Sequence, residues 1–179
     1  MSTVAVTSGL GALPSRFRRE RLLIVGYGDV GQRMARNLLT GPGAQRLRVL
    51  ALTSQAERVG SLRAQGVTPL VGNLDHAATL RRLSGLATRV VHLAPPPGEG
   101  GGGAAWWRDP RTVAVARALR RRSLPVSLVY ASTSGVYGDC AGALVAETRT
   151  VAPGTPRAQR RVNAERAVRH LGRAGLRAT

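Results

Sequence analysis

Lysine is missing from this chain altogether. All 27 of its basic side chains are arginines, set against nine carboxylates, for a formal net charge of +18. Any cationic role therefore falls to a guanidinium, which stays protonated and is a poor proton donor. Cysteine is nearly absent as well. Cys140 stands alone, which excludes an internal disulfide and a zinc site built on several thiolates. Aromatic residues make up only 3%, so the core must be built from Leu, Val and Ala. No apolar run approaches the roughly 18 residues of a membrane span, so a soluble protein without a membrane partner, in the cytoplasm, is expected. With 43% hydrophobic residues in 179, the chain suits one domain with a real core.

The charge raises the question of nucleic-acid binding. The arginines run along the whole length, with small clusters at 16–21 and 120–122. That distribution favours arginine as the default surface cation over a dedicated nucleic-acid face. Residues 1–20 lack periodicity and read as a flexible leader. Their basic end follows the less polar stretch, the reverse of a secretory signal. Residues 21–179 read as a single domain.

Within that domain, apolar runs alternate with helical spacing. Leu22–Val25 reads as a buried strand. Helical spacing follows at Val30, Met34, Leu38 and Leu39, and Thr40-Gly41-Pro42-Gly43 stops it. Further strands are expected at 47–52, 67–71, 89–93 and 126–131. Further helices are expected at 55–65, 74–86, 110–122 and 156–171. Asp109-Pro110 and Thr155-Pro156 each pair an N-cap with proline at the first helical position. Five strands alternating with five helices predict a doubly wound parallel sheet, a three-layer α/β/α Rossmann-type domain. The final residues, from Gly175, stand where another strand is expected to begin, so a shortened chain is expected, its fifth strand an open edge that invites a second copy.

The first strand runs directly into Gly26-Tyr27-Gly28-Asp29-Val30-Gly31. Gly26 permits a tight turn, Gly28 lets backbone approach a pyrophosphate, and Gly31 lets the helix pack on the strand. The helix then aims free N–H groups at the phosphates. Placed between a strand and a helix, the motif points to a dinucleotide, NAD or NADP. The end of the second strand, where a carboxylate would select a ribose hydroxyl, reads Leu52-Thr53-Ser54-Gln55. Without a carboxylate, Thr53, Ser54 and Arg58 favour NADP over NAD.

After the fifth strand comes Ser132-Thr133-Ser134-Gly135-Val136-Tyr137-Gly138-Asp139. From about Arg21 onward, this stretch and the glycine loop resemble the extended short-chain dehydrogenase/reductase superfamily, the NAD-dependent epimerase/dehydratase group. Leu93-Ala94-Pro95-Pro96-Pro97-Gly98 resembles an atypical branch of it. The resemblance implies that Thr133 is the catalytic Ser/Thr, that Asn73 and Leu74 meet the adenine, and that Leu93, Ala94 and Pro95 line the cofactor. It implies an oxidoreductase or an epimerase/dehydratase-like enzyme with a small carbonyl or sugar-nucleotide-like substrate. It also implies a C-terminal substrate segment, which is expected to be lacking here. The family's acid/base pair is a tyrosine and a lysine four residues apart on one helical face. The corresponding positions hold Arg157 and Arg161, the latter a candidate for phosphate or ribose. The alternative is a nucleotide-binding sensor or scaffold without catalysis. Weaker candidates are His92 at the end of the fourth strand, facing the cofactor, and Trp106-Trp107, either a lid over the site or an anchor of the glycine loop Gly100–Gly103.

Overall fold

A computed structural model describes residues 19–98 and 104–179; the basic leader and the Gly100–Gly103 run lie outside them. Six parallel strands form one sheet: β1 (Glu20–Val25), β2 (Leu47–Thr53), β3 (Thr68–Val71), β4 (Arg89–His92), β5 (Ser127–Tyr130) and β6 (Arg177–Ala178). Their order across the sheet is β3-β2-β1-β4-β5-β6. The sequence leaves β1 for β2 on one side and returns to β4 on the other. The strand order therefore reverses between β1 and β4, where open α/β sheets bind ligands.

Alternation along the strands divides the apolar residues between two faces. Leu22, Ile24, Val49, Ala51 and Val91 pack with Ala35 and Leu38 of α1 (Asp29–Thr40) and Leu62 of α2 (Val59–Ala64). Leu23, Val25, Leu50, Leu52, Val90 and Leu128 point the other way. They meet Val115 and Leu119 of α3 (Pro110–Leu119), Val168 and Leu171 of α4 (Pro156–Gly172), and Leu80 and Leu83 of a 3-10 segment, Ala77–Leu83. The expected three layers are present. Leucine, valine and alanine fill both cores, with Tyr27 and Tyr130 the buried aromatics among the described residues.

Both cap-and-proline pairs start helices as expected. The Asp109 carboxylate accepts from the N–H groups of Arg111 and Thr112, and the Thr155 hydroxyl accepts from that of Ala158. The predicted helix at 74–86 forms only the 3-10 segment. The Thr79 hydroxyl donates to nearby backbone carbonyls and accepts from the Asn73 N–H, and such bonds compete with an α-helical ladder. Gln55–Gln65 divides into a 3-10 turn, Ala56–Arg58, and the short α2. Gly60 lies inside that helix and weakens it by about 1 kcal/mol relative to alanine. Val30, expected on the apolar face of α1, is 65% exposed.

The expected open edge at β5 is not there. Residues 177–179 turn back beside β5. Arg177 N–H donates to the Val126 carbonyl, Thr179 N–H to that of Leu128, and Tyr130 N–H to that of Thr179. Leu176 anchors this return and is buried. Gly175, at φ +94°, makes the turn that brings it there. β6 stands where a further strand was expected to begin after the last helix, although two residues are too few for the alternation of apolar and polar residues to mark it. Leu176→Ala should lower the unfolding free energy by about 2–4 kcal/mol, measured by urea denaturation. A loss below 0.5 kcal/mol, taken as roughly the level of an ordinary surface substitution, would show that the return contributes little.

Candidate functional site at the carboxyl edge of the sheet

The turn after β1 is set by backbone contacts. Leu93 and Ala94, leaving β4, both donate their N–H groups to the Val25 carbonyl, at 2.7 and 3.0 Å. Their backbone then lies against Gly26, which sits at φ +94°, and a Cβ there would overlap Ala94 and Leu93. Gly31 is tight for a different reason: a Cβ would stand 3.0 Å from the Gly26 carbonyl and 3.3 Å from Ile24. Gly28 meets nothing within 4 Å, and its extended backbone opens α1 as N-cap. Helix and strand thus pack closely on one side of the loop, and open space remains on the other.

That space is a cleft of about 410 Å³. Gly26, Tyr27 and Gly28 line it from β1, Thr53, Ser54 and Arg58 from β2, Asn73 and Leu74 from β3, and Leu93 and Pro95 from β4. Ten of the sequence-predicted residues therefore converge on one cavity. Gln55, Asp75 and Arg111 also line it. Of these, Arg111 is the least visible in the sequence, being a first-turn arginine of α3. Its guanidinium holds both Asp75 oxygens at 2.7 Å, and this pair keeps the Asp75 carboxyl below its ordinary range.

The ribose-selecting corner is arranged differently from the simple reading. The Thr53 side chain is buried, and its hydroxyl is bonded to the backbone of Gln55. Ser54 is exposed. Arg58 reaches over the loop and donates to the Tyr27 carbonyl at 3.2 Å. Asp29 lies outside the cleft lining, on the surface of α1, paired with Arg33.

Beyond β5 the picture changes. Thr133 is exposed and caps the 3-10 turn Ser134–Tyr137 by accepting from the Gly135 N–H; the cleft lining does not include it. Arg157 is exposed, whereas Arg161, one turn on, is buried. Arg161 donates to the Ala131 carbonyl at 2.6 Å and to the Tyr130 hydroxyl at 3.1 Å, with its guanidinium over the Tyr130 ring. Its Nε has no partner. Two arginines at the family's tyrosine and lysine positions therefore part company, one toward solvent and one clasping the end of β5. Ser132 donates to Glu165 at 2.6 Å.

His92, expected to face the cofactor, is fully buried. The Thr112 hydroxyl has one proton and donates it to the Asp109 carboxylate, with 2.6 Å between the oxygens. It must then accept from His92 Nε2 at 2.9 Å, which fixes the neutral imidazole as the Nε2–H tautomer. The ring stands edge-on to Tyr130. The chain His92–Thr112–Asp109 continues to α4, because Asp109 N–H donates to Asn163. A strand histidine read from sequence shows its neighbours along the chain and not this network across three elements.

The matching family model is the TrkA-N domain, over residues 22–95, which spans less than half of the chain. No curated protein matches the sequence. Among solved structures, a double mutant of DesIV (dTDP-glucose 4,6-dehydratase) from Streptomyces venezuelae, with NAD and DAU bound, superposes with a TM-score of 0.70 at 22% identity, over 87% of this chain and 53% of that one. The UDP-Glc/GlcNAc 4-epimerase of Campylobacter jejuni gives 0.70 at 16% identity, over 87% and 50%. A short-chain dehydrogenase/reductase superfamily protein from Agrobacterium tumefaciens, with bound NAD, gives 0.68 at 22% identity, over 88% and 47%. The chain thus spans about half the length of these structures. The resemblance read from the sequence holds at the level of the fold: this is the Rossmann fold of epimerases, dehydratases and short-chain dehydrogenases. Among the described residues, no helix is long and apolar enough to cross a membrane.

Burial pushes the His92 imidazole from 6.5 down to about 4. The folded state thus disfavours protonation. Its contribution is complete above pH 6.5 and is lost as pH falls toward 4, by about 3 kcal/mol in all. Urea midpoints between pH 7 and 4 should show this slope, and His92→Gln should flatten it. An unchanged slope in the variant would assign the pH dependence to other groups.

Proposed function

We propose that this chain binds NAD or NADP at the carboxyl edge of its sheet and serves as the dinucleotide-binding part of an oxidoreductase or epimerase/dehydratase-like protein. The observation that carries the reading is the contrast between Gly26 and Gly31, which backbone and side chains crowd, and Gly28, which nothing crowds. A loop shaped only for packing has no need of open space at its middle glycine, whereas a pyrophosphate on the N-terminus of α1 does. In this reading Asn73 and Leu74 lie toward the adenine, and Leu93, Ala94 and Pro95 line the cofactor beyond β4. Asp29, Val30 and Gly31 form the first turn under the phosphates. The bound dinucleotide supplies hydride chemistry, and the protein supplies position.

Ser54 and Arg58, with no carboxylate at the end of β2, are the groups proposed to favour NADP. Thr133 is proposed to orient the reacting oxygen of a small carbonyl or sugar-nucleotide-like substrate. The second reading is a dinucleotide-binding module without turnover. It is favoured by Arg161, whose Nη1 is taken by Tyr130 and Ala131, and by the absence of a tyrosine–lysine pair on α4. Turnover of a panel of carbonyl substrates with NADPH separates the two readings. In both of them Arg161 supports the nicotinamide end of the cleft by holding the end of β5.

Titration with NADPH and NADH, followed by fluorescence, tests the common claim. Gly28→Val should weaken dinucleotide binding by at least about tenfold, because its side chain enters the phosphate space. The urea midpoint should stay within error, since nothing stands near that Cβ. Equal affinity in variant and wild type would remove the loop from the site.

Arg58→Ala should cost NADPH about tenfold, or ~1.5 kcal/mol for a charge-assisted bond, and cost NADH little. Tighter binding of NADH than NADPH by the wild type would overturn the proposed preference.

A further inference from the structure

A second cavity, of about 710 Å³, opens on the α3 side of the sheet and shares Leu74 and Asp75 with the dinucleotide cleft. Its size is that of a small-molecule site. The lining has two chemistries. Val113, Ala114 and Ala118 of α3, with Trp106, provide an apolar wall, and five arginines, among them Arg117, Arg121 and Arg160, provide the charge. Among the described residues the one carboxylate in the lining is Asp75, and it is already held by both arms of Arg111.

Arg160 decides what the cavity is for. It is only 4% exposed. Its Nη1 makes a long bond, 3.5 Å, to the Trp106 carbonyl. Its Nε and Nη2 are buried with no hydrogen-bond partner, and among the described residues no carboxylate pairs with it. A guanidinium cannot shed its proton to escape this cost. Burial of an unpaired charge is tolerated where a counter-ion completes the site. We infer that this cavity is a second binding site, distinct from the dinucleotide cleft, for a small amphipathic anion. The anionic head, a carboxylate or a phosphate monoester, meets Arg160 and the rim arginines. The apolar body lies along Val113, Ala114 and Trp106.

The chain has two tryptophans, and one of them lines the cavity, so tryptophan emission reports occupancy. Decanoate and decyl phosphate should each shift that emission saturably, and the tighter of the two identifies the preferred head. Decanol and decyltrimethylammonium should bind at least tenfold more weakly, as should acetate and inorganic phosphate. Arg160→Met should weaken decanoate at least tenfold. Should that variant fail to fold, the exposed pair Arg117→Glu/Arg121→Glu should produce the same loss. Arg173→Glu, at the far end of α4, should change affinity less than twofold. The Gly28→Val variant should bind decanoate normally, so that failure of the dinucleotide reading and failure of this one are separable. Equal binding of decanol or of the cation, an equal loss in Arg173→Glu, or no saturable shift with either anion would overturn the inference.

Discussion

Two hydrogen bonds to one carbonyl hold the site open. Val25 ends β1, and its carbonyl takes the N–H groups of both Leu93 and Ala94. The pair draws the exit of β4 against the turn after β1 and leaves no room for a side chain at Gly26. With those two crossings fixed, α1 must start at Gly28 and lean on Ile24 through Gly31. The cleft is what remains between the diverging chains. Its position follows from strand order, because β1 and β4 are neighbours whose connections leave in opposite directions across the sheet.

The opposite end of the edge, at β5, is closed by side chains. Arg161 clasps Tyr130 and Ala131, Tyr130 stands against His92, and His92 hands its proton toward Thr112 and Asp109. This run of polar groups links β5, β4, α3 and α4 inside the core on the α3 face. Burial raises the Tyr130 hydroxyl above its ordinary value, with Arg161 opposing the shift. Tyr130 therefore stays neutral and serves as an acceptor for the guanidinium. Both bonds leave one nitrogen, Nη1, so a single corner of the guanidinium ties the hydroxyl to the Ala131 carbonyl.

Much of this was legible in the residues themselves. The alternation of apolar runs with helical spacing announces the layers, and proline after Asp109 and Thr155 fixes the start of α3 and α4 to the residue. The glycine loop, Ser54 and Arg58 were locatable from their distance past a strand, and Asn73, Leu74, Leu93 and Pro95 from the family resemblance. Other features depend on contacts between distant parts of the chain. The short β6 carries no pattern of its own. Arg161 was a candidate for phosphate or ribose, and its hold on Tyr130 and Ala131 shows only once the end of β5 is beside it. His92 and Thr53 sit at strand ends, where sequence gives depth along the strand but not which neighbour claims the side chain.

The last strand has a consequence for how the protein comes into being. Ser127 and Leu128 find their partners in Arg177 and Ala178, some fifty positions later. During synthesis the β5 edge stays unpaired until α4 has been made and the residues after it have left the ribosome. Parallel pairings over such separations are slow, and a waiting edge is a place for misassembly. A ribosome that pauses within α4 holds the nascent chain in that vulnerable state, whereas one that passes swiftly through the residues after α4 lets β6 pair with β5.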